Sequence, residues 1–432
     1  MIAEDTVREP PWRPGTALAS GNRLGLPVRG DQTAAVTTDL RALRPDELEE
    51  ALTLLTLVFG QPPAPEDVEV ELAVVDPERF YGAFHDGRLI RTAGSFALRI
   101  LVPGGAVEPL AGVTWVGVDP SHRRQGVLAA FMDRQLHDLH AAGTAVAALW
   151  ASQGAIYQRY GYGAATWHLA VSLPRGAAFR RSVAPGGVER VTAARGLLVP
   201  TYDAVAARTP GMPRRDEHWW RSRLHDPDHA RAGATPLQCA VTDGGYALYS
   251  QTASWTDGVP DGAVTVRELV AVDEPARERL WRYLLDLDLM GTVAYRHLAA
   301  DDPLLHLLAE PRLARAKLSE SLYVRLVDVA AALSARRYAA GVDVVLEVRD
   351  AQCPWNAGRW RLVGDLDSAT CRADTGPADL VMDVGDLGAA YLGGTPLSSR
   401  RGTVQELVPG VLARTSTAFG PVDRAPWCPM IF

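Results

Sequence analysis

Val116-Gly-Val-Asp-Pro-Ser-His-Arg-Arg-Gln-Gly-Val-Leu128 is the stretch whose reading decides the fold. Its apolar start continues a run from Gly112 and predicts a strand over 112–118. Asp119 and Pro120 stop that strand, and the pattern after them predicts a helix from about Gln125 to Ala142. Arg123, Arg124 and Gly126 then fall where the helix begins. Backbone N–H groups lack partners there, and the helix dipole is positive. Two guanidinium groups and a glycine at such a point suit a diphosphate, because glycine admits the ligand to the backbone and arginine adds charge. The apolar run Ala145–Trp150 follows as a buried strand parallel to the first, which closes a β-α-β unit.

Upstream, Arg44-Pro45-Asp46-Glu47 opens one helix and Glu66–Val75 forms another. Strands follow at Phe80–His85 and Leu89–Val102, joined by Asp86-Gly87, a hairpin signal. Downstream, Ala155–Tyr160 reads as a short helix ended by Gly161. Residues 166–310 repeat the order, with strands at 166–173, 237–241, 246–251 and 264–272 and helices near 199–209 and 275–287. After the strand at 264–272, Asp273-Glu274-Pro275 stands where the first unit has its arginines, and acids there repel a phosphate. From about 313 the composition shifts: a strand-like run at Leu322 leads into a helix over 330–337, strands at 342–349, 358–363 and 378–383, and helices at 384–392 and 404–407. Trp219, Trp220, Tyr246 and Tyr249 are expected in the core.

At 432 residues the chain is too long for one ordinary core. A 47% hydrophobic and 22% charged composition is that of a water-soluble globular protein. The 51 acids exceed the 44 basic residues, which argues against a nucleic-acid partner and suits a cationic ligand. Cys239, Cys353, Cys371 and Cys428 form no CxxC pair, so no structural metal site is expected and reduced thiols are the default, with a Cys353–Cys371 disulfide as the minority reading. No stretch is long enough for a membrane span, so no membrane association is expected. Residues 1–38, rich in Pro, Gly and Arg without a signal-peptide core, read as an extension.

The element order from 39 to 165, with Arg123-Arg124-Gln125-Gly126-Val127-Leu128, resembles the GNAT acetyltransferase superfamily. The motif departs at Leu128, where a glycine or alanine is the rule. A longer pattern is more specific: Val116-x-Val118-x-Pro120-x-His122-Arg123-Arg124-x-Gly126, then Ala147-Ala148-Leu149-x-Ala151-Ser152, then Ile156-Tyr157-x-Arg159-Tyr160-Gly161-Tyr162-Gly163. It resembles the Eis family (enhanced intracellular survival proteins), which acetylate aminoglycosides and protein lysines. The resemblance implies an α/β (α+β) architecture in three parts. These are a catalytic GNAT domain over 39–165, a degenerate GNAT-like domain over 166–312 and a sterol carrier protein-like domain over 313–432. Asp379-Leu-Val-Met-Asp383 and Leu387-x-x-x-Tyr391-Leu392-Gly393-Gly394 fit the last.

Acetyl transfer from a thioester needs a neutral amine, a polarised carbonyl and a protonated leaving thiolate. The resemblance implies acetyl-CoA held by Val116, Gly117, Val118, Arg123, Arg124, Gln125, Gly126, Val127, Leu128, Ala129, Ser152 and Gln153, with a bulge in the 116–118 strand donating an N–H to the carbonyl. Residue type alone does not choose a proton donor among Tyr157, Tyr160 and Tyr162; the resemblance selects Tyr157. It gives the base role to the α-carboxylate of Phe432, and the apolar tail Cys428–Phe432 suits the burial that would raise its pKa. Trp115 either stacks on the acceptor or packs in the core, and Phe59 and Gln61 line the acceptor pocket. Many relatives carry acids in that loop and before the last residue; Gln61 and Ile431 stand there instead. His122 reads as a turn residue. The implied protein is a cytoplasmic homohexamer acting on a primary amine of an aminoglycoside, a polyamine-like compound or a lysine. Two rivals are a CoA-binding sensor without turnover and a lipid-binding or scaffold protein led by the third domain.

Overall fold

Asp86 and Gly87 both take positive φ, the geometry of a two-residue hairpin, and so fix the start of the first sheet. In the computed structural model, which describes residues 39–60, 64–122, 127–183 and 186–432, that sheet is built around two long strands. Its elements run β1 (Asp39–Ala42), α1 (Leu48–Val58), α2 (Pro65–Leu72), β2 (Phe80–His85), β3 (Arg88–Leu101), β4 (Val107–Val118), α3 (Val127–Ala141), β5 (Val146–Trp150), α4 (Gly154–Gln158) and β6 (Gly163–Ala164). Leu48, Ala51 and Leu52, at helical spacing, bury one face of α1 against the sheet. Phe131, Met132, Leu136 and Leu139 do the same for α3 on the other face. Phe80 is wedged between Phe96 and Trp115, 5.6 and 5.0 Å away. A Cβ on Gly94 would lie 2.3 Å from the Phe80 ring, so only glycine fits there.

The second unit comprises β7 (Trp167–Pro174), β8 (Glu189–Val191), α5 (Arg195–Ala206), α6 (Glu217–Leu224), β9 (Gln238–Thr242), β10 (Gly245–Thr252), a small hairpin of β11 (Trp255–Thr256) and β12 (Val259–Pro260), β13 (Gly262–Ala271), α7 (Glu274–Leu285), β14 (Met290–Ala299), α8 (Leu304–Leu307) and β15 (Lys317–Glu320). β16 (Leu322–Leu326) follows after one residue. The first sheet is ordered β1-β2-β3-β4-β5-β16-β6 and the second β15-β7-β14-β13-β10-β9-β8. The strand-like run at Leu322 therefore lies in the first sheet, antiparallel to β5, with Leu322 opposite Trp150. Its five residues are all buried, as a strand with partners on both edges requires. Thr166 holds the crossing between the two sheets: its Oγ1 lies 2.6 Å from Ser321 Oγ and accepts from Leu322 N–H at 2.9 Å.

The third unit has α9 (Val329–Ala335), β17 (Val342–Arg349), β18 (Gly358–Gly364), β19 (Ala369–Ala373), β20 (Leu380–Asp383), α10 (Val384–Ala390), β21 (Gln405–Glu406) and α11 (Val411–Ala418), with the sheet ordered β19-β18-β17-β20-β21. The helix expected over 404–407 does not form. Glu406 instead accepts from Leu412 N–H at 2.9 Å and caps α11, a helix the sequence reading missed along with β14 and β19. α10 lies directly on β16: a Cβ on Gly388 would sit 2.3 Å from the Val324 carbonyl. All four cysteines are free and buried, so the minority disulfide is absent. Trp220, Tyr246 and Tyr249 are in the core as expected, while Trp219 is half-buried and stacks edge-on against Phe96 of β3 at 4.9 Å.

Candidate active site

Two irregularities in β4 shape the site. Opposite β3, Thr92 pairs with Gly117 and Gly94 with Thr114, so Trp115 and Val116 together face Ala93. This is a β-bulge, and Trp115 takes φ +54 to form it. On its other edge β4 joins β5 through only Ala111–Ala147 and Gly112–Ala148. From Val113 onward β4 has, among the described residues, a ladder partner only in β3, so β4 and β5 open as a fork. The fork exposes one backbone edge of β4 along the segment expected to align a pantetheine arm.

Trp115 is 5% exposed and packs edge-on against Phe80, so its ring belongs to the core under the bulge. Beyond β4, Asp119 closes the turn by accepting from Ser121 N–H at 2.9 Å and from Arg88 at 3.1 Å. The Ser121 hydrogen bonds hold its carboxyl below the usual range. His122 lies in this turn with Nδ1 2.9 Å from Ser121 Oγ. Arg123, Arg124, Gln125 and Gly126 lie outside the described residues, as do Gln61 and the side chain of Val127. Leu128 is half-buried and Ala129 exposed on the first turn of α3. Ser152 and Gln153 are exposed before α4, with Gln153 at its N-cap. Phe59, just after α1, is 59% exposed.

Tyr157 sits on α4, immediately after β5, and is buried in one apolar cluster with Val113, Phe131, Tyr160 and Tyr162. Burial raises its pKa; the positive charge of Arg91 pulls the other way. Tyr162 is fully enclosed, its hydroxyl unpartnered, and burial pushes it well above a free phenol. The tail arrives from the far side. Trp427 donates from Nε1 to the His297 carbonyl at 2.8 Å and from its backbone N–H to the Pro210 carbonyl at 2.9 Å. Cys428 and Met430 are buried, and Ile431 is 60% exposed. The Phe432 ring then covers Gly112, where an added Cβ would meet it at 3.0 Å. The last residue of the fork's ladder and the last residue of the chain are thus in contact.

One residue escaped the sequence reading. Arg91, on β3 opposite Val118, is 1% exposed and lies 5.1 Å over the Phe131 ring. Among the described residues, none of its three guanidinium nitrogens has a hydrogen-bond partner. It lies inside the unbroken buried run Leu89–Phe96, but the polar Thr92 and Ser95 beside it in sequence hide that burial from a reading of periodicity.

Residues 39–165 and 211–326 each match an acetyltransferase (GNAT) domain family, and 329–429 match the sterol carrier protein domain. An N-acetyltransferase of Streptomyces avermitilis is 43% identical over 408 residues, covering 91% of this chain and 99% of its own. The N-acetyltransferase Eis of Mycobacterium tuberculosis is 37% identical over 327 residues, 72% of this chain and 78% of its own. The crystal structure of Eis1 from Mycobacterium abscessus superposes with a TM-score of 0.80 at 32% identity, covering 91% of this chain and all of that one. The chain belongs to the Eis family of GNAT N-acetyltransferases. Enzymes of the GNAT class use acetyl-CoA, and the fork and bulge of this Eis-family chain are compatible with an extended thioester arm lying along β4.

The second GNAT domain keeps both irregularities. Leu248 pairs with Glu268 and Tyr249 with Val266, leaving Arg267 as the extra residue of a bulge, and β13 parts from β14 after Val266. Its fork is closed by other means. Asp273 accepts from Ala276 N–H at 2.8 Å, occupying the helix terminus a phosphate would need. Beside the bulge, Glu268 is fully buried between Arg215, at 3.0 and 2.7 Å, and Arg223, at 3.1 Å, and accepts from the Tyr246 hydroxyl at 2.7 Å. Burial alone would raise its pKa, but the two guanidinium charges win and hold it at about 2.

Proposed function

We propose that the enzyme moves an acetyl group from acetyl-CoA directly to a primary amine of an aminoglycoside-like compound, a polyamine-like compound or a lysine side chain. Acetyl-CoA supplies an activated acyl group as a thioester. Arg123, Arg124, Gln125, Gly126, Val127, Leu128 and Ala129 hold its diphosphate, Ser152 and Gln153 border it, and the backbone of Val116, Gly117 and Val118 aligns its arm. A bulge N–H hydrogen-bonds the carbonyl oxygen as it gains charge, an interaction worth roughly 100-fold or more in rate. The Phe432 α-carboxylate takes the proton of the attacking amine. Tyr157 donates its phenol proton to the leaving sulfur, and its raised pKa keeps that proton in place at neutral pH.

The observation carrying this reading is the contact of Phe432 with Gly112 at the root of the β4–β5 fork, on whose β5 side Tyr157 follows. Phe59 and Gln61 border the amine, and Trp115 supports it from beneath. Gln61 and Ile431 withhold two negative charges from the acceptor side, which favours amines of modest charge. The reading takes the working form as a cytoplasmic homohexamer. The test is a short peptide appended after Phe432, which moves the carboxylate away. Acetylation of a good acceptor should fall at least about 100-fold with acetyl-CoA binding retained; turnover at the unmodified rate would remove the carboxylate from the mechanism.

A further inference from the structure

A buried arginine with no carboxylate is costly, because a desolvated charge is tolerated when it is paired and hydrogen-bonded. The chain's other fully buried arginines meet that condition in part or whole. Arg215 has Glu268, Arg325 has Asp350 at 2.8 Å, and Arg336 donates to the carbonyls of Tyr391 and Phe419. Among the described residues, Arg91 has only the face of Phe131. It projects on the α3 side of β3, level with Val118 and beside the fork. Burial lowers its pKa only to about 10, so it is a cation at neutral pH, and its charge acts on the hydroxyls of Tyr160 and Tyr157. Around this group, the α4 segment contributes Tyr157 and Tyr160 and α3 contributes the apolar Phe131, while Tyr162 packs against Tyr157 and has Arg325 of β16 behind it. Tyr81 of β2, edge-on to Phe131 at 5.9 Å, is committed to Asp138 at 2.7 Å.

We propose that Arg91 is a positioning residue for acetyl transfer, an unpaired cation kept beside the fork to offset the negative charge that passes from the leaving sulfur to the Tyr157 oxygen. The inference rests on the reading that Tyr157 protonates that sulfur. In that step the carbon–sulfur bond breaks with its electron pair on sulfur. Sulfur takes the Tyr157 proton, the charge moves to the phenolate oxygen, and the amine's proton leaves by the base. A fixed cation lowers the energy of both charged forms, sulfur and phenolate, without touching the amine. The cost falls on the free enzyme, in the manner of other sites that trade stability for activity.

The test uses Arg91→Met and Arg91→Lys in the full chain. Arg91→Met should melt at or above the wild-type temperature without ligand and should keep the melting shift that acetyl-CoA gives the wild type. Its kcat should fall roughly 10- to 100-fold at unchanged KM for the amine, with Arg91→Lys recovering most of the loss. The alkaline limb of its kcat profile should move to higher pH, because Tyr157 loses the cation that lowers its pKa. A lower melting temperature with wild-type kcat, loss of the acetyl-CoA shift, or an unmoved alkaline limb would each overturn the proposal. Repeating Arg91→Met in a Tyr157→Phe background separates the two readings. An equal further loss there removes the coupling while leaving Tyr157 as the acid. Full activity of Tyr157→Phe alone removes the acid itself.

Discussion

Tyr157 and Phe432 reach the same fork from positions 275 residues apart in sequence. The Ile-Tyr-x-Arg-Tyr-Gly-Tyr-Gly pattern singles out Tyr157 by resemblance, although its chemistry alone does not separate it from Tyr160 and Tyr162. Burial now separates one of them: the Tyr162 hydroxyl is fully enclosed against Arg325 and Cys353. Replacing Tyr157 by Phe removes the proton and almost no volume. We expect kcat to fall roughly 10²–10⁴-fold with the melting temperature nearly unchanged, measured with a thiol-release assay beside a thermal melt. Arg91 was not legible because strand periodicity describes which face a residue occupies and says nothing about whether a buried charge has a partner.

At the scale of elements, the strand-helix-strand unit was readable because each boundary has a local cause: Asp119 and Pro120 for the strand end, Gly161 with φ +81 for the end of α4. The bulge was expected from the resemblance and the fork was not; neither has a local signature, since both arise from how β4 meets two neighbours at once. The helix expected at 404–407 gives way to a short edge strand at Gln405–Glu406, and the Glu406 carboxylate is spent on the start of α11. The clearest element-level contrast is between the two helix starts that follow β4 and β13. Asp273 gives α7 a side-chain cap, whereas an arginine side chain has no acceptor with which to cap a helix. Asp273→Ala should therefore lower stability by about 1 kcal/mol in urea denaturation and leave acetylation intact. A gain of CoA affinity at that helix would be a different outcome and would show that Asp273 alone closes the second fork.

For the whole molecule, the Arg215–Glu268–Arg223 cluster ties α6 and the loop before it to β13. Glu268 titrates near 4.5 when unfolded and at about 2 when folded. Its folded pKa is depressed, so its contribution is fully present above about pH 4.5 and disappears as pH falls toward 2. Glu268→Gln leaves two guanidinium groups facing a neutral amide and should cost roughly 3–5 kcal/mol at pH 7. The gap between the two melting curves should close as pH drops from about 4.5 to 2. A gap that stays constant through this window would mean that the carboxylate charge is not what stabilises the cluster.

Residues 317–326 place one strand at the edge of the second sheet and the next inside the first. As the chain leaves the ribosome, β5 emerges with a bare apolar edge and cannot be completed until β16 follows, 172 positions later at Leu322. The first GNAT domain therefore does not close in order of synthesis; it waits for the whole second domain to pass. A nascent chain paused within residues 151–321 carries an open strand edge, a template for pairing with another copy and a point at which chaperones have something to hold.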